Sequence, residues 1–156
     1  MYQRLLVPLD GSETSRLALA SALKLAQADG GRVRLMHVLE EVSYSGFDLY
    51  AANAGDLMKI LCANGQRILD EGMAAAKEAG VPADFVLHDT FGQRLADVVA
   101  DAAKRWSADV IVVGTHGRRG VDRLMMGSGA EQIIRLAPVP VLVIRAPVET
   151  AEAVAA

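Results

Sequence analysis

A doubly wound α/β sheet is the fold this chain predicts, on three observations. Five short apolar runs alternate with four stretches of helical period. The last two runs are almost wholly β-branched or leucine. A glycine-rich segment leaves one of them and leads into a helix. Strands separated by helices pair in parallel through right-handed crossovers. Parallel strands are apolar on both faces because helices cover both. The expected architecture is a Rossmann-like sheet of five parallel strands with helices on either side.

Arg4–Leu9 is the first strand. Asp10-Gly11-Ser12 then supplies turn chemistry, with Ser12 as N-cap of the first helix. In that helix Leu19, Ala22, Leu23 and Ala26 follow the i, i+3, i+4, i+7 spacing of one buried face. Arg32–Leu39 is the second strand. Glu40–Gly55 carries no period and is expected to form a flap near the ligand edge. A second helix runs from about Asp56 to Ala79, with Leu57, Ile60, Leu61, Leu69, Met73 and Ala76 along one stripe. Gly65 and Gly72 count against it, each costing about 1 kcal/mol relative to alanine. Ala83–Leu87 is the third strand, and Leu95, Val98, Val99 and Ala102 mark the third helix. Asp109–Val113 is the fourth strand, Ala130, Ile133, Ile134 and Ala137 mark the fourth helix, and Val139–Ile144 is the fifth strand. Residues 147–156 have little to bury and are expected to fray, leaving residues 1–146 as one domain without repeats or linkers.

The bounds agree. A chain of 156 residues suits one core. A net charge of -3 argues against general nucleic-acid binding, which shows a basic surplus. A single cysteine, Cys62, allows no internal disulfide and fits a reducing compartment. No apolar stretch reaches the length of a membrane helix, and the first residues lack a signal-peptide core, so the expectation is a cytoplasmic protein away from membranes.

The chemistry concentrates in Gly114–Ser128, GTHGRRGVDRLMMGS. It follows the buried run Val110–Val113 and opens the fourth helix. Glycine lets main chain approach an anion closely, and a helix start points unpaired N–H groups at it. Ser128 with Glu131 also reads as a capping box, which would start the helix with or without a ligand. Gly114 and Gly117 upstream are not explained by a cap. Arg118, Arg119 and Arg123 face only Asp122 within the loop, and arginine forks suit phosphate oxygens. For any one of them, solvation is as good an account as contact. His116 is expected to touch a ligand without doing chemistry. Asp10, at the end of the first strand, can accept hydrogen bonds from ribose hydroxyls or an adenine amine. Turn formation is its other role.

Nearly the whole chain resembles the universal stress protein family. The likeness is carried by the opening RLLVPLDGSETSRLAL and the block ADVIVVGTHGRRGVDRLMMGSGAEQIIRLAPVPVLVIR. The family signature of two glycines two residues apart, then nine residues, then Gly-Ser or Gly-Thr, is met by Gly114, Gly117, Gly127 and Ser128. The resemblance implies the ATP-binding branch and a sheet in the order 3-2-1-4-5. It implies adenine near Pro8, Asp10 and Val38, and phosphates on the glycine loop and Ser128. Leu9, Thr115 and Gly129 fall within the same stretches. It further implies a homodimer through the last strand, with Val139, Val141 and Val143 at the interface. That strand is apolar on both faces, and an edge strand left unpaired exposes an aggregation-prone rim. One departure is local: the third strand runs on into Asp89-Thr90-Phe91-Gly92-Gln93 where relatives often carry Gly-x-Pro.

Other nucleotide and catalytic motifs are missing. Neither G-x-x-x-x-G-K-[ST] nor G-x-G-x-x-G after the first strand occurs, and there is no G-x-S-x-G elbow. Cysteine and histidine are too few and scattered for a zinc site. A Mg²⁺ ion accompanying ATP would rest on phosphate oxygens and few protein ligands. No residue pair at a defined spacing demands catalysis, so slow ATP hydrolysis is the most enzymatic activity expected. The expected role is an adenine-nucleotide-binding regulator of the stress response. The alternatives are a slow hydrolase and an interaction protein that binds no nucleotide.

Overall fold

A computed structural model describes residues 1–39, 54–89, 92–115 and 126–146. In chain order the elements are β1 (Arg4–Pro8), α1 (Glu13–Asp29), β2 (Arg32–Val38), α2 (Ala54–Glu78), β3 (Ala83–His88), α3 (Leu95–Trp106), β4 (Val110–Gly114), α4 (Ser128–Leu136) and β5 (Val141–Ile144). All five strands join one sheet in the order β3-β2-β1-β4-β5, and every pairing is parallel. The predicted fold and strand order both hold. The chain winds outward from β1 to β3, then restarts beside β1 with β4, so the order reverses between β1 and β4.

Alternation along each strand builds two cores. Leu5 and Val7 of β1, Val33 and Leu35 of β2, and Val110 and Val112 of β4 face α1 and α2. Leu6, Met36, Ile111 and Val113 face α3 and α4, where Val99, Ala103, Trp106, Ala130 and Ile133 meet them. Burying such a side chain stabilises the fold by roughly 1.5–3 kcal/mol against leaving it in water. Both faces must therefore be covered, and that sets the positions of the helices.

The two glycines that counted against α2 are what let it lie on the sheet. A Cβ at Gly72 would fall 2.7 Å from Leu35 Cδ1, and one at Gly65 would fall 2.7 Å from His37 Cδ2. Seven residues apart, they sit on one helix face two turns apart. The helix gives up propensity for close contact with β2.

β1 and β2 end one residue before expectation, β3 ends one after, β4 is shifted one residue on, and three further boundaries bear on the argument. α2 begins at Ala54, inside the segment read as a flap; the rest of that segment, 40–53, lies outside the described residues. β5 begins at Val141 rather than Val139. Pro140 has no N–H to donate, although its carbonyl already accepts from Ile111 N at 3.0 Å. The third departure, at the start of α4, belongs to the site. The tail 147–156 lies outside the described residues.

Candidate functional site

The candidate site lies at the carboxyl ends of β1 and β4, where the strand order reverses and open α/β sheets leave a crevice. Four structural pieces border it.

The first is the exit of β1. Pro8 is half-buried and pairs with Met36. Leu9 is buried in the core under α1 and α2, so it offers the edge main chain rather than side chain. Its N–H donates to Met36 O at 2.7 Å, and its carbonyl accepts from His37 Nδ1 at 2.7 Å. Asp10 Oδ1 accepts the Ser12 amide at 2.9 Å, closing an Asx turn. Ser12 caps α1 as expected: its Oγ accepts from Ser15 N at 3.2 Å. Asp10 thus serves the turn while its carboxylate stays half-buried at the edge.

The second is the end of β2. Val38 is buried on the α3/α4 side, two residues beyond the partner of Pro8. It walls the edge at the level of the β1 exit. Leu39 N donates to His88 O at 2.8 Å and extends β2 toward β3.

The third is the exit of β4. Gly114 is the last residue of that strand, and a Cβ there would lie 2.7 Å from both the carbonyl carbon and the oxygen of Thr14. A glycine is required here because the first turn of α1 abuts the strand. An anion is not needed to explain it. Thr115 is buried, and its N–H donates to Ile144 O at 2.9 Å.

The fourth is the start of α4. Gly127 N donates to Thr115 O at 2.7 Å, which brings the two ends of the glycine-rich loop together. The capping box expected at Ser128 does not form. Gly127 is the N-cap, with no side-chain cap, and Ser128 is the first helical residue. The main chain explains the shift. With Gly127 tied to Thr115, its carbonyl accepts the Glu131 amide at 3.1 Å, and Glu131 bonds Arg135 at 3.2 Å instead of reaching back. Gly127 brings no side chain to the amides of Ser128, Gly129 and Ala130, which lie in the turn that has no intrahelical acceptors. Gly129 is in ordinary contact with Leu95, 3.5 Å from a Cβ placed there, so its size is not forced by crowding.

These pieces meet through Thr14 against Gly114 and Gly127 against Thr115. His116, Gly117, Arg118 and Arg119 fall outside the described residues, as do Arg123 and Asp122. Two residues at the edge escaped sequence reasoning. His37 is a polar residue at an inward position of β2, in register with Val33 and Leu35, and that parity was the available signal. Thr14 carried no signal. At the end of β3, burial pushes the His88 imidazole below its ordinary value; Arg105 adds to this and Asp89 opposes it. No group of three or more His, Cys, Asp or Glu side chains that could hold a metal ion occurs among the described residues.

The fifth strand was expected to offer Val139, Val141 and Val143 to a second copy. All three side chains are partly buried against the α3/α4 core, while Leu142 and Ile144 pack toward α1. β5 is the edge strand, and its outer main-chain edge pairs with no other strand among the described residues.

The class defined here is a doubly wound parallel α/β protein in which a helix start without a side-chain cap is bonded to the exit of β4, beside the strand-order reversal. Residues 1–145 match the universal stress protein family, and the chain belongs to it. It is 31% identical over 149 residues to a universal stress protein of Methanocaldococcus jannaschii, covering 94% of this chain and 84% of that one. A universal stress protein family structure from Burkholderia pseudomallei superposes with TM-score 0.72 at 29% identity, covering 93% and 97% of the two chains. A universal stress protein from Archaeoglobus fulgidus, solved in complex with dAMP, gives TM-score 0.65 at 23% identity over 92% and 98%. Two further structures of this fold are described with cAMP and with AMP bound. Among the described residues no helix is long and apolar enough to cross a membrane.

Proposed function

We propose that this protein binds ATP at the reversal point and acts as a regulatory protein of the stress response, with occupancy altering its conformation or its partners. The observation that carries this is the start of α4. A glycine N-cap bonded to Thr115 O leaves the first-turn amides without a side-chain cap beside the exit of β4. Helix starts of this kind attract phosphate through their amides and dipole. Relatives of the same fold hold adenine nucleotides.

In this reading Pro8, Val38 and the main chain of Leu9 flank the adenine, and Asp10 accepts from the ribose. Gly127, Ser128 and Gly129 present amides to the phosphates, with Thr115, His116, Gly117, Arg118 and Arg119 completing the loop. Gly114 supports the arrangement by admitting α1. Mg²⁺ rides on the phosphates. The chain is one domain over residues 1–146, works in the cytoplasm as its lone cysteine favours, and pairs through β5 as a homodimer. Hydrolysis, if measured, is slow.

Calorimetric titration of the purified protein with ATP and Mg²⁺ tests the reading. Saturable binding at micromolar concentrations is expected. A Kd of about 1 mM or weaker, no more than about 4 kcal/mol of binding, overturns it.

A further inference from the structure

We infer that His37 is a positioning residue, a strut that braces the β1 exit loop against helix α2 and so sets the adenosine end of the pocket. The inference rests on the nucleotide reading for its purpose but not for its geometry. Leu9 is the first residue after β1, and from it the chain turns into Asp10–Ser12. Two consecutive residues of β2 hold both of its main-chain groups: Met36 O takes the N–H, and the His37 side chain takes the carbonyl, each at 2.7 Å. A carbonyl oxygen can only accept, so Nδ1 carries the proton.

The ring has little room to leave. His37 is 7% exposed. A Cβ on Gly65 would stand 2.7 Å from its Cδ2 and 3.2 Å from its Nε2, with Leu87 Cδ1 at 2.9 Å. The main chain of α2 therefore backs the imidazole directly. The strut runs from Gly65 through the ring to Leu9 O. From there the next residue is Asp10, whose Oδ1 holds the Ser12 amide at the start of α1. A displacement of α2 along this line reaches the Asp10 carboxylate through contacts already closed. A buried histidine that merely satisfies its own polarity would not need its partner to be the loop that ends β1, nor a glycine wall behind it.

The test compares His37→Leu, which keeps volume without a donor, with His37→Asn, which keeps an N–H near the Nδ1 position. Amide hydrogen exchange is read in nucleotide-free protein. His37→Leu should speed exchange at Asp10, Gly11 and Ser12 by about tenfold while Leu5–Val7 stay protected, and His37→Asn should remain within about threefold of wild type. The same proteins are titrated with ATP and with inorganic tripolyphosphate. His37→Leu should weaken ATP by about tenfold and leave tripolyphosphate unchanged, since only the adenosine end is displaced.

Gly65→Ala provides a second handle if His37→Leu does not fold. It pushes the ring toward Leu9 O and should speed loop exchange in the wild-type background. In a His37→Ala background, which has no atom at the Cδ2 or Nε2 position, it should add nothing. Wild-type exchange rates in His37→Leu, equal behaviour of the Leu and Asn variants, or an additive Gly65→Ala effect overturns the strut. Absence of ATP binding by the wild type overturns the nucleotide reading alone, because the exchange measurements still decide the role of His37.

Discussion

Gly114 and Gly127 belong to one sequence motif and answer to different physics. Gly114 has Thr14 main chain within 2.7 Å of where a Cβ would go, and main chain cannot yield without moving α1. Gly127 has φ -64° and ψ 147°, open to any residue. Gly114→Ala should therefore lower stability by about 1–3 kcal/mol, the range for overpacking. Gly127→Ala should cost no more than about 1 kcal/mol, the deficit of alanine against glycine as an N-cap. In the nucleotide reading Gly127→Ala nonetheless weakens ATP by tenfold or more, since the new methyl crowds main chain that touches phosphate. Urea denaturation and calorimetry on both variants separate the roles. A stable Gly114→Ala contradicts the contact with α1, and an unimpaired Gly127→Ala removes that residue from the phosphate site.

At the scale of elements, the amino-terminal edge of the sheet is held by charge rather than by a ligand. Arg34 of β2 forks onto Asp84 of β3 at 2.6 and 2.7 Å, and the Arg4 and Arg34 guanidinium groups each lie 4.8 Å from the Trp106 ring of α3. The Arg34 hydrogen bond holds the Asp84 carboxyl below the usual range, helped by the charges of Arg34, Arg32 and Arg4. A depressed carboxyl pKa contributes stability that is complete above the unfolded value near 4 and is lost as pH falls through the folded value. Asp84 is too exposed for more than about 1 kcal/mol after screening. His88, also depressed, gives a separate window: its contribution is complete above about pH 6.5 and is lost on acidification below that. Urea denaturation from pH 7 to 3, followed through Trp106 fluorescence, should show both slopes. His88→Gln should flatten the upper one and Asp84→Asn the lower one, and unchanged profiles would refute the assignments. The succession of strands and helices was legible in sequence because period and apolarity are local, whereas the strand order came from the family resemblance; the helix faces held except at Ile60 and Ile134, expected on buried stripes of α2 and α4 but 63% and 41% exposed. What stayed hidden depends on distant partners. The close approach of α2 needs Leu35 and His37, the shift of the cap from Ser128 to Gly127 needs Thr115, and the demand for glycine at position 114 needs Thr14.

For the whole molecule the open question is what covers the outer edge of β5. Its even-numbered residues face β4, as the bonds from Ile111 N to Pro140 O and from Thr115 N to Ile144 O show. In a parallel strand alternate residues turn both main-chain groups the same way, so Val141 and Val143 aim theirs outward. Their side chains meanwhile pack inward on α3 and α4. A second copy would therefore recognise hydrogen-bonding edge rather than valine side chains, and the two β5 strands would meet about a two-fold axis. Val143→Glu would be a poor probe, because it strikes the core as well as the interface. Val143→Pro removes one outward N–H and keeps an extended backbone that β5 already has. Sedimentation equilibrium should find the wild type dimeric and Val143→Pro monomeric, with ATP still raising the Tm of both. A wild type that sediments as a monomer, or a proline variant that pairs as tightly as the parent, would remove β5 as the interface. If the variant loses the dimer and the ATP response together, the pocket depends on the pairing of β5, and the bond from Thr115 N to Ile144 O is the link through which it would do so.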